Sequence, residues 1–371
     1  MNDLLYLAFN HVPGIGPARL DRLLAYFGDL AAAWHAPADA LRAAGLDQRT
    51  IAAFARTRRE LDAEAVFQRL SDNGIRVITR DNAQYPPLLR QTINPPYLLY
   101  VRGTLVDADR WAVAVVGTRQ ASTYGKDVTR TIVADLAAAG VTIVSGLALG
   151  IDTVAHATAL ASGGRTLAVL GSGVDQLYPL QNRQLGLSIT NQGAIIGEYP
   201  PGTMPTPTNF PPRNRLISGL SLGVLVVEAA SRSGALITAD FALEQGRDVF
   251  AVPGNVFSLR SGGTHDLIRN GALLVRNADD VLEALNLQAA AVQQEIVAAV
   301  PDTAEEAALL RLVEHEPRHI DVLQRQSDLP MPVVSATMAL LELKGLVRQT
   351  QGMQYVLARE TEAPYVVHET L

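Results

Sequence analysis

The residues best suited by type to do chemistry are arginines, glycines and a few carboxylates. Phe210-Pro211-Pro212-Arg213-Asn214-Arg215 sets two guanidinium groups around an amide, beside an aromatic ring and a rigid proline pair. Guanidinium forks suit phosphate oxygens and an aromatic face suits a nucleobase, so this string points to nucleic acid. Three small-residue loops, Gly117-Thr118-Arg119, Ser145-Gly146 and Gly171-Ser172-Gly173, each close an apolar run and precede a helical stretch. Such loops leave N–H groups free for an anion, and together they are expected to line one crevice. Val12-Pro13-Gly14-Ile15-Gly16-Pro17, followed by ARLDRLL, reads as a helix-hairpin-helix turn. Its glycines let backbone N–H groups approach a DNA phosphate, although the same turn also serves to join two packed helices.

Other chemistry is thin. With no cysteine there is no disulfide, no thiolate nucleophile and no cysteine-based zinc site. His315-Glu316-Pro317-Arg318-His319 has the spacing of a zinc-protease motif, but Pro317 breaks the helix that the motif needs. No G-x-S-x-G string occurs, and His156 and His265 are the only histidines of the central region. His156 and Asp152 are expected to pack or cap a helix, and Glu228 to hydrogen-bond loop N–H groups. The stretch Gly171–Gln176 lacks the third glycine of a dinucleotide fingerprint, which argues against NAD. No cofactor and no metal are expected.

The elements that must position these groups fall into three kinds. Residues 1–74 carry apolar positions at helical spacing and form a small helical domain. From Ile75 short apolar runs such as WAVAVVG, VTIVSG, TLAVLG and GVLVVE alternate with helical segments. Runs without polar alternation imply a parallel sheet covered on both faces, hence a doubly wound α/β domain. Three helices and a hairpin then read as a winged helix. The expected boundaries are 1–80, 81–285, a linker at 286–302, the winged helix at 303–358 and a tail at 359–371.

The net charge of −6 argues, taken whole, against a polyanionic partner. Residues 1–80 carry ten basic and nine acidic side chains, 81–302 fifteen and eighteen, and 303–371 six and ten. Only Lys126 and Lys344 are lysines. The third helix of the winged piece, Pro332 to Lys344, holds one acid and one base, and is expected to add little sequence-specific DNA binding. The first residues lack a basic stretch ahead of an apolar run, and no long apolar run follows, so a cytoplasmic protein without membrane contact is expected.

Taken in order, VVGTR at 115–119, SGLALGIDTVAH at 145–156, GSGVDQLYPLQN at 171–182, FPPRNRLISGL at 210–220, the run from Val226 to Asn255 and GTHDLIRNGA at 263–272 resemble the DNA-processing protein A (DprA or Smf) family. The resemblance covers roughly 85–285, and the flanking helical and winged-helix pieces resemble its accessory domains. It implies an extended Rossmann-like sheet with a helix-hairpin-helix or SAM-like domain before it. It also implies a non-enzymatic mediator that binds single-stranded DNA, and duplex more weakly, dimerises through the α/β domain, and loads RecA recombinase onto strands coated by single-strand-binding protein during natural transformation. Carried onto this chain, Arg119 is the phosphate ligand, Arg213, Asn214 and Arg215 line the same pocket, Phe210 is the stacking platform, and Ser145 and Gly146 add contacts. Two departures stand out. Pro200–Asn209 has no basic residue where relatives carry a lysine, and His265-Asp266 follows Thr264 where relatives read G-T-N. Two other readings compete: a phosphoribohydrolase-like nucleotide enzyme using Glu228, whose P-G-G-x-G-T-x-x-E string is missing, and a winged-helix regulator.

Overall fold

The computed structural model describes residues 2–287, 303–313, 317–327, 329–343, 347–350 and 352–357. Two compact units result, Met1–Leu287 and Gln288–Leu371. Most of the expected linker, from residue 288 onward, and the expected tail lie outside the described residues.

The first unit opens with α1 (Asn2–Asn10), α2 (Pro17–Phe27), α3 (Leu30–His35), α4 (Ala38–Ala43), α5 (Gln48–Glu60) and α6 (Ala63–Asp72). Asp29, Asp47 and Asp62 cap α3, α5 and α6 by accepting the N–H groups of Ala32, Thr50 and Ala65. These carboxylates satisfy donors that a helix start leaves orphaned. Helix α2 has no such side-chain cap: it starts from Gly16 with Pro17 in its first turn.

The strands are β1 (Ile75–Thr79), β2 (Leu98–Gly103), β3 (Ala112–Val116), β4 (Thr142–Ser145), β5 (Thr166–Leu170), β6 (Gly193–Gly197), β7 (Gly223–Val226), β8 (Asp248–Ala251) and β9 (Leu273–Leu274). Among the described residues they make one nine-stranded sheet in the order β1-β2-β6-β5-β4-β3-β7-β8-β9. From β6 to β9 every neighbouring pair is parallel, while β1–β2 and β2–β6 are antiparallel. The helices of this region are α7 (Pro87–Arg90), α8 (Thr123–Ala138), α9 (Ile151–Ala161), α10 (Arg183–Gln192), α11 (Phe210–Gly219), α12 (Gly234–Glu244), α13 (Gly262–Arg269) and α14 (Ala278–Ala284). The chain steps one way from β3 to β6 and then resumes on the other side of β3 with β7. The β3–β7 boundary is therefore the switch point at which doubly wound sheets leave a crevice.

Strands β3 and β5 are buried at every residue, which is why their sequences show no polar alternation. Strand β2 still alternates: Leu98 and Tyr100 pack with Tyr6, Phe9, Leu20 and Phe54, whereas Leu99 and Val101 face Val116, Leu216 and Val226. The helical segment therefore shares a core with one face of the sheet. Polar ties reinforce the join, with the Tyr6 hydroxyl donating to Asp81 at 2.9 Å, Thr79 to Asp3 at 2.7 Å and Tyr100 to Asn10 at 2.8 Å. The helices set apart by sequence as residues 1–80 thus belong to the same compact unit as the sheet.

The second unit contains α15 (Ala304–Leu310), β10 (Arg318–His319), α16 (Ile320–Ser327), α17 (Met331–Leu343), β11 (Val347–Thr350) and β12 (Gln354–Leu357). Its antiparallel strands run in the order β10-β12-β11. Leu309, Ile320, Leu323, Val334, Met338 and Leu341 form its core, and the arrangement is a winged helix. Of the zinc-protease-like string, Arg318 and His319 sit in a strand, and His315 and Glu316 lie outside the described residues.

Candidate nucleic-acid interface

A crevice of about 600 Å³ opens over the carboxyl ends of β3, β4 and β7. Its lining includes Gly117 to Gln120, Asp152, Tyr178, Phe210, Arg213, Asn214 and the start of α12. The loop after β3 is clasped from two sides, since Thr118 N–H donates to the Glu228 carbonyl at 2.7 Å and Ile151 N–H donates to the Thr118 carbonyl at 3.2 Å. Gly150 makes that second clasp possible. Its φ is +84°, and a Cβ there would lie 2.2 Å from the Thr118 oxygen.

Arg119 leaves this loop and sets its guanidinium 5.6 Å from the centroid of the Phe210 ring. Among the described residues it has no acidic partner. Phe210 opens α11, and its ring lies 6.0 Å from that of Tyr178 at 21°, a stacked pair. Tyr178 is 48% exposed, so its outer face is open to a ligand. Sequence reasoning gave Tyr178 no role. It stands in a polar loop after β5, and only the fold brings that loop to Phe210.

Arg213 lies beneath the crevice. It is buried, donates to the Gly146 and Val169 carbonyls, and has Asn214 Oδ1 at 3.2 Å from its Nε. Burial pushes its pKa down to about 10, with Asp152 opposing the shift and Arg119 adding to it. Asn214 Nδ2 donates to the Gly234 carbonyl at 3.4 Å, which ties α11 to α12.

Arg215 departs from the expectation of a common pocket. It points away, donating to Glu198 at 2.5 Å and to the Asn94 carbonyl at 3.2 Å. The reason is helical geometry: residues two apart lie about 200° apart around the axis, so Arg213 and Arg215 occupy opposite faces of α11. Arg215 lines a separate cavity of about 470 Å³ together with Gly14, Gly16 and Arg19. Burial raises the Glu198 pKa, and Arg215 works against that rise.

Ser145 and Gly146 also depart from expectation. The Ser145 side chain is fully buried, and its hydroxyl donates to the Val115 carbonyl at 2.6 Å. Gly146 N–H donates to Asp152 at 3.1 Å, and its carbonyl takes Arg213. Both residues brace the loop from inside and present no group to the crevice. Asp152 accepts from Gly146 and Ala148, not from the first turn of α9, whose cap is Gly150. His156 is buried against Thr166 with its pKa pushed down to about 3, which leaves it neutral and structural. Glu228 accepts both the N–H and the hydroxyl of Ser122, the loop-binding role read from the sequence.

A doubly wound α/β protein whose switch-point crevice is walled by an arginine and stacked rings, followed by a winged helix, is the class defined by this fold and site. Residues 76–286 match the family described as DNA recombination-mediator protein A, and residues 296–353 match the DprA winged helix domain. The chain belongs to the DNA recombination-mediator protein A family. It is 36% identical to Protein Smf of Synechocystis sp., over 94% of this chain and 97% of that protein. It is 46% identical to DNA processing protein DprA of Streptococcus pneumoniae, over 53% and 70% of the two chains. The X-ray structure of DNA processing protein A from Streptococcus pneumoniae is similar with a TM-score of 0.65 at 36% identity, covering 76% of this chain and 95% of that one. DNA processing protein A of Helicobacter pylori, described for its single-stranded DNA binding mode, gives a TM-score of 0.52 at 30% identity over 57% and 95%. Among the described residues no helix is long and apolar enough to cross a membrane.

Proposed function

We propose that this protein is a recombination mediator that holds single-stranded DNA in the crevice at the β3–β7 switch point. Arg119 carries the reading: a cation without an acidic partner among the described residues, set over an aromatic pair whose outer ring is open. A strand needs a phosphate ligand and a base platform, and these two stand side by side here. Arg119 takes a phosphate, Tyr178 offers its outer face to a base, and Phe210 backs Tyr178. Arg213 contributes positive field from below, in a site whose low dielectric strengthens it. Asn214 forms the wall, and Ser145 and Gly146 hold the loop.

By its family the protein dimerises through the α/β domain and passes the strand, cleared of single-strand-binding protein, to RecA during natural transformation in the cytoplasm. It binds without making or breaking bonds and needs no cofactor. The relatives named for DNA processing and the Helicobacter protein described for single-stranded DNA support this reading. The test is a salt titration of oligo-dT binding with wild type and Arg119→Ala. The variant is expected to lose about tenfold in affinity and about one unit of salt slope. Unchanged affinity and slope would remove the crevice from the function. RecA assembly on strands coated by single-strand-binding protein tests the loading step separately, and no acceleration by the wild type would reject it.

A further inference from the structure

A second basic surface lies on the helical segment, away from the crevice. A groove of about 620 Å³ is lined by Pro13 and Gly14 of the α1–α2 turn, by Arg19, and by Arg49, Ala53 and Arg56 of α5. Arg49, Ala52, Ala53 and Arg56 follow the i, i+3, i+4, i+7 spacing, so they share one face of α5. Two small alanines between the arginines leave the face open for a bulky ligand. Asp47 is the one acid in the lining, and Arg19 already engages it at 2.9 Å. Arg19 also donates to the Gly14 carbonyl and to Thr50 Oγ1, which locks the turn to α5. Arg49 and Arg56 are exposed and, among the described residues, have no acidic partner.

The turn adds donors of its own. Gly14 has φ +95°, and neither Gly14 nor Gly16 finds an acceptor for its N–H among the described residues. Both glycines are exposed, and a Cβ at Gly16 would meet nothing within 4 Å. Of the two glycines only Gly14 lines the groove, where it stands with the two unpaired arginines of α5, while Gly16 lines the neighbouring cavity with Arg215.

We infer that this groove binds the backbone of duplex DNA. It offers phosphate ligands and no aromatic ring, so a base has nothing to stack on. A surface that reads charge alone favours the polyanion with the denser charge, and a duplex carries about one charge per 1.7 Å of axis, twice that of a strand. Arg49 and Arg56 stand about 10 Å apart along the helix, far enough for each to reach its own phosphate. They contact two phosphates of one strand, with the Gly14 N–H on a third.

The test uses the full chain with a blunt duplex and with oligo-dT, each titrated with salt. The double variant Arg49→Ala/Arg56→Ala is expected to bind duplex about tenfold more weakly and to lose about two units of slope. Both positions are exposed and alanine favours helix, so the fold is kept, and circular dichroism checks it. Arg49→Lys/Arg56→Lys restores most of the slope. Arg69→Ala/Arg76→Ala, an equal charge change outside the groove, leaves duplex binding within twofold. Duplex affinity and slope unchanged in the groove variant, or lowered equally by the Arg69 and Arg76 control, overturn the inference. This proposal can fail without the crevice reading, because that reading fails only if oligo-dT binding is indifferent to Arg119→Ala.

Discussion

The crevice and the α5 groove carry similar formal charge and use it differently. In the crevice one arginine is unpaired, a second is buried, and two stacked rings supply a flat apolar face. The α5 groove sets two unpaired arginines and the Gly14 backbone on open ground, with no ring in its lining. The first arrangement suits a ligand with bases to offer, the second one with only phosphates to offer. Counting arginines would rank the groove higher, so the rings and the burial decide the specificity.

The largest effect is expected where an arginine serves neither region. Arg215→Ala leaves Glu198, whose side chain is 19% exposed, without its counter-charge, at a cost of about 3 kcal/mol. Burial already raises the Glu198 pKa, so the native state takes up its proton more readily than the unfolded chain does. Stability from this group therefore falls as pH rises through the native pKa, and losing Arg215 extends that loss. Calorimetry is expected to show a larger Tm deficit at pH 8 than at pH 5, while oligo-dT affinity of the folded variant stays within twofold. A tenfold loss of oligo-dT affinity would instead place Arg215 in the crevice and erase the contrast between the two faces of α11.

Next is Arg119→Ala, with about tenfold weaker oligo-dT binding. The contrast sharpens if duplex binding by this variant changes less than twofold. Tyr178→Ala is expected to cost about fivefold on oligo-dT, at the lower end of base–aromatic stacking, and Tyr178→Phe to be neutral. Fluorescence anisotropy reads both, and equal loss in the two variants would assign the effect to the hydroxyl. The smallest effect is expected from ending the chain at Leu287, which removes the second unit. Helix α17 has Glu342 as its single charged residue, and oligo-dT affinity should stay within twofold.

Much of the scaffold could be read directly from residue patterns. Buried parallel strands announce themselves as unbroken apolar runs, and VAVVG and TLAVL sit where those runs said. The site was harder, and each miss has a physical cause. Pro211-Pro212 reads from sequence only as a rigid pair, without an assigned element, yet proline is tolerated in the first turn of a helix, and α11 begins at Phe210. Once that helix is known, the two-residue spacing alone separates Arg213 from Arg215. Ser145 sits at the end of a buried strand, and no local pattern tells a serine facing a ligand from one hydrogen-bonded inward. Tyr178 and Phe210 are 32 positions apart in the chain, so their stacking is a property of strand order. The Gly14 turn was recognisable from sequence, but its arginines come from α5, beyond the motif.

The join between helices and sheet has a further consequence. Tyr97 and Tyr100 of the sheet region are buried among side chains of the helical segment, and the Tyr97 hydroxyl donates to the Ile15 carbonyl at 2.9 Å. Removing the first six helices would strip that face and expose a row of large apolar side chains. The helices are therefore no detachable appendage, and melting must take them and β2 together in one cooperative step. Slow amide exchange should run without a seam from α1 into β2, and a protease should find no early cut between them.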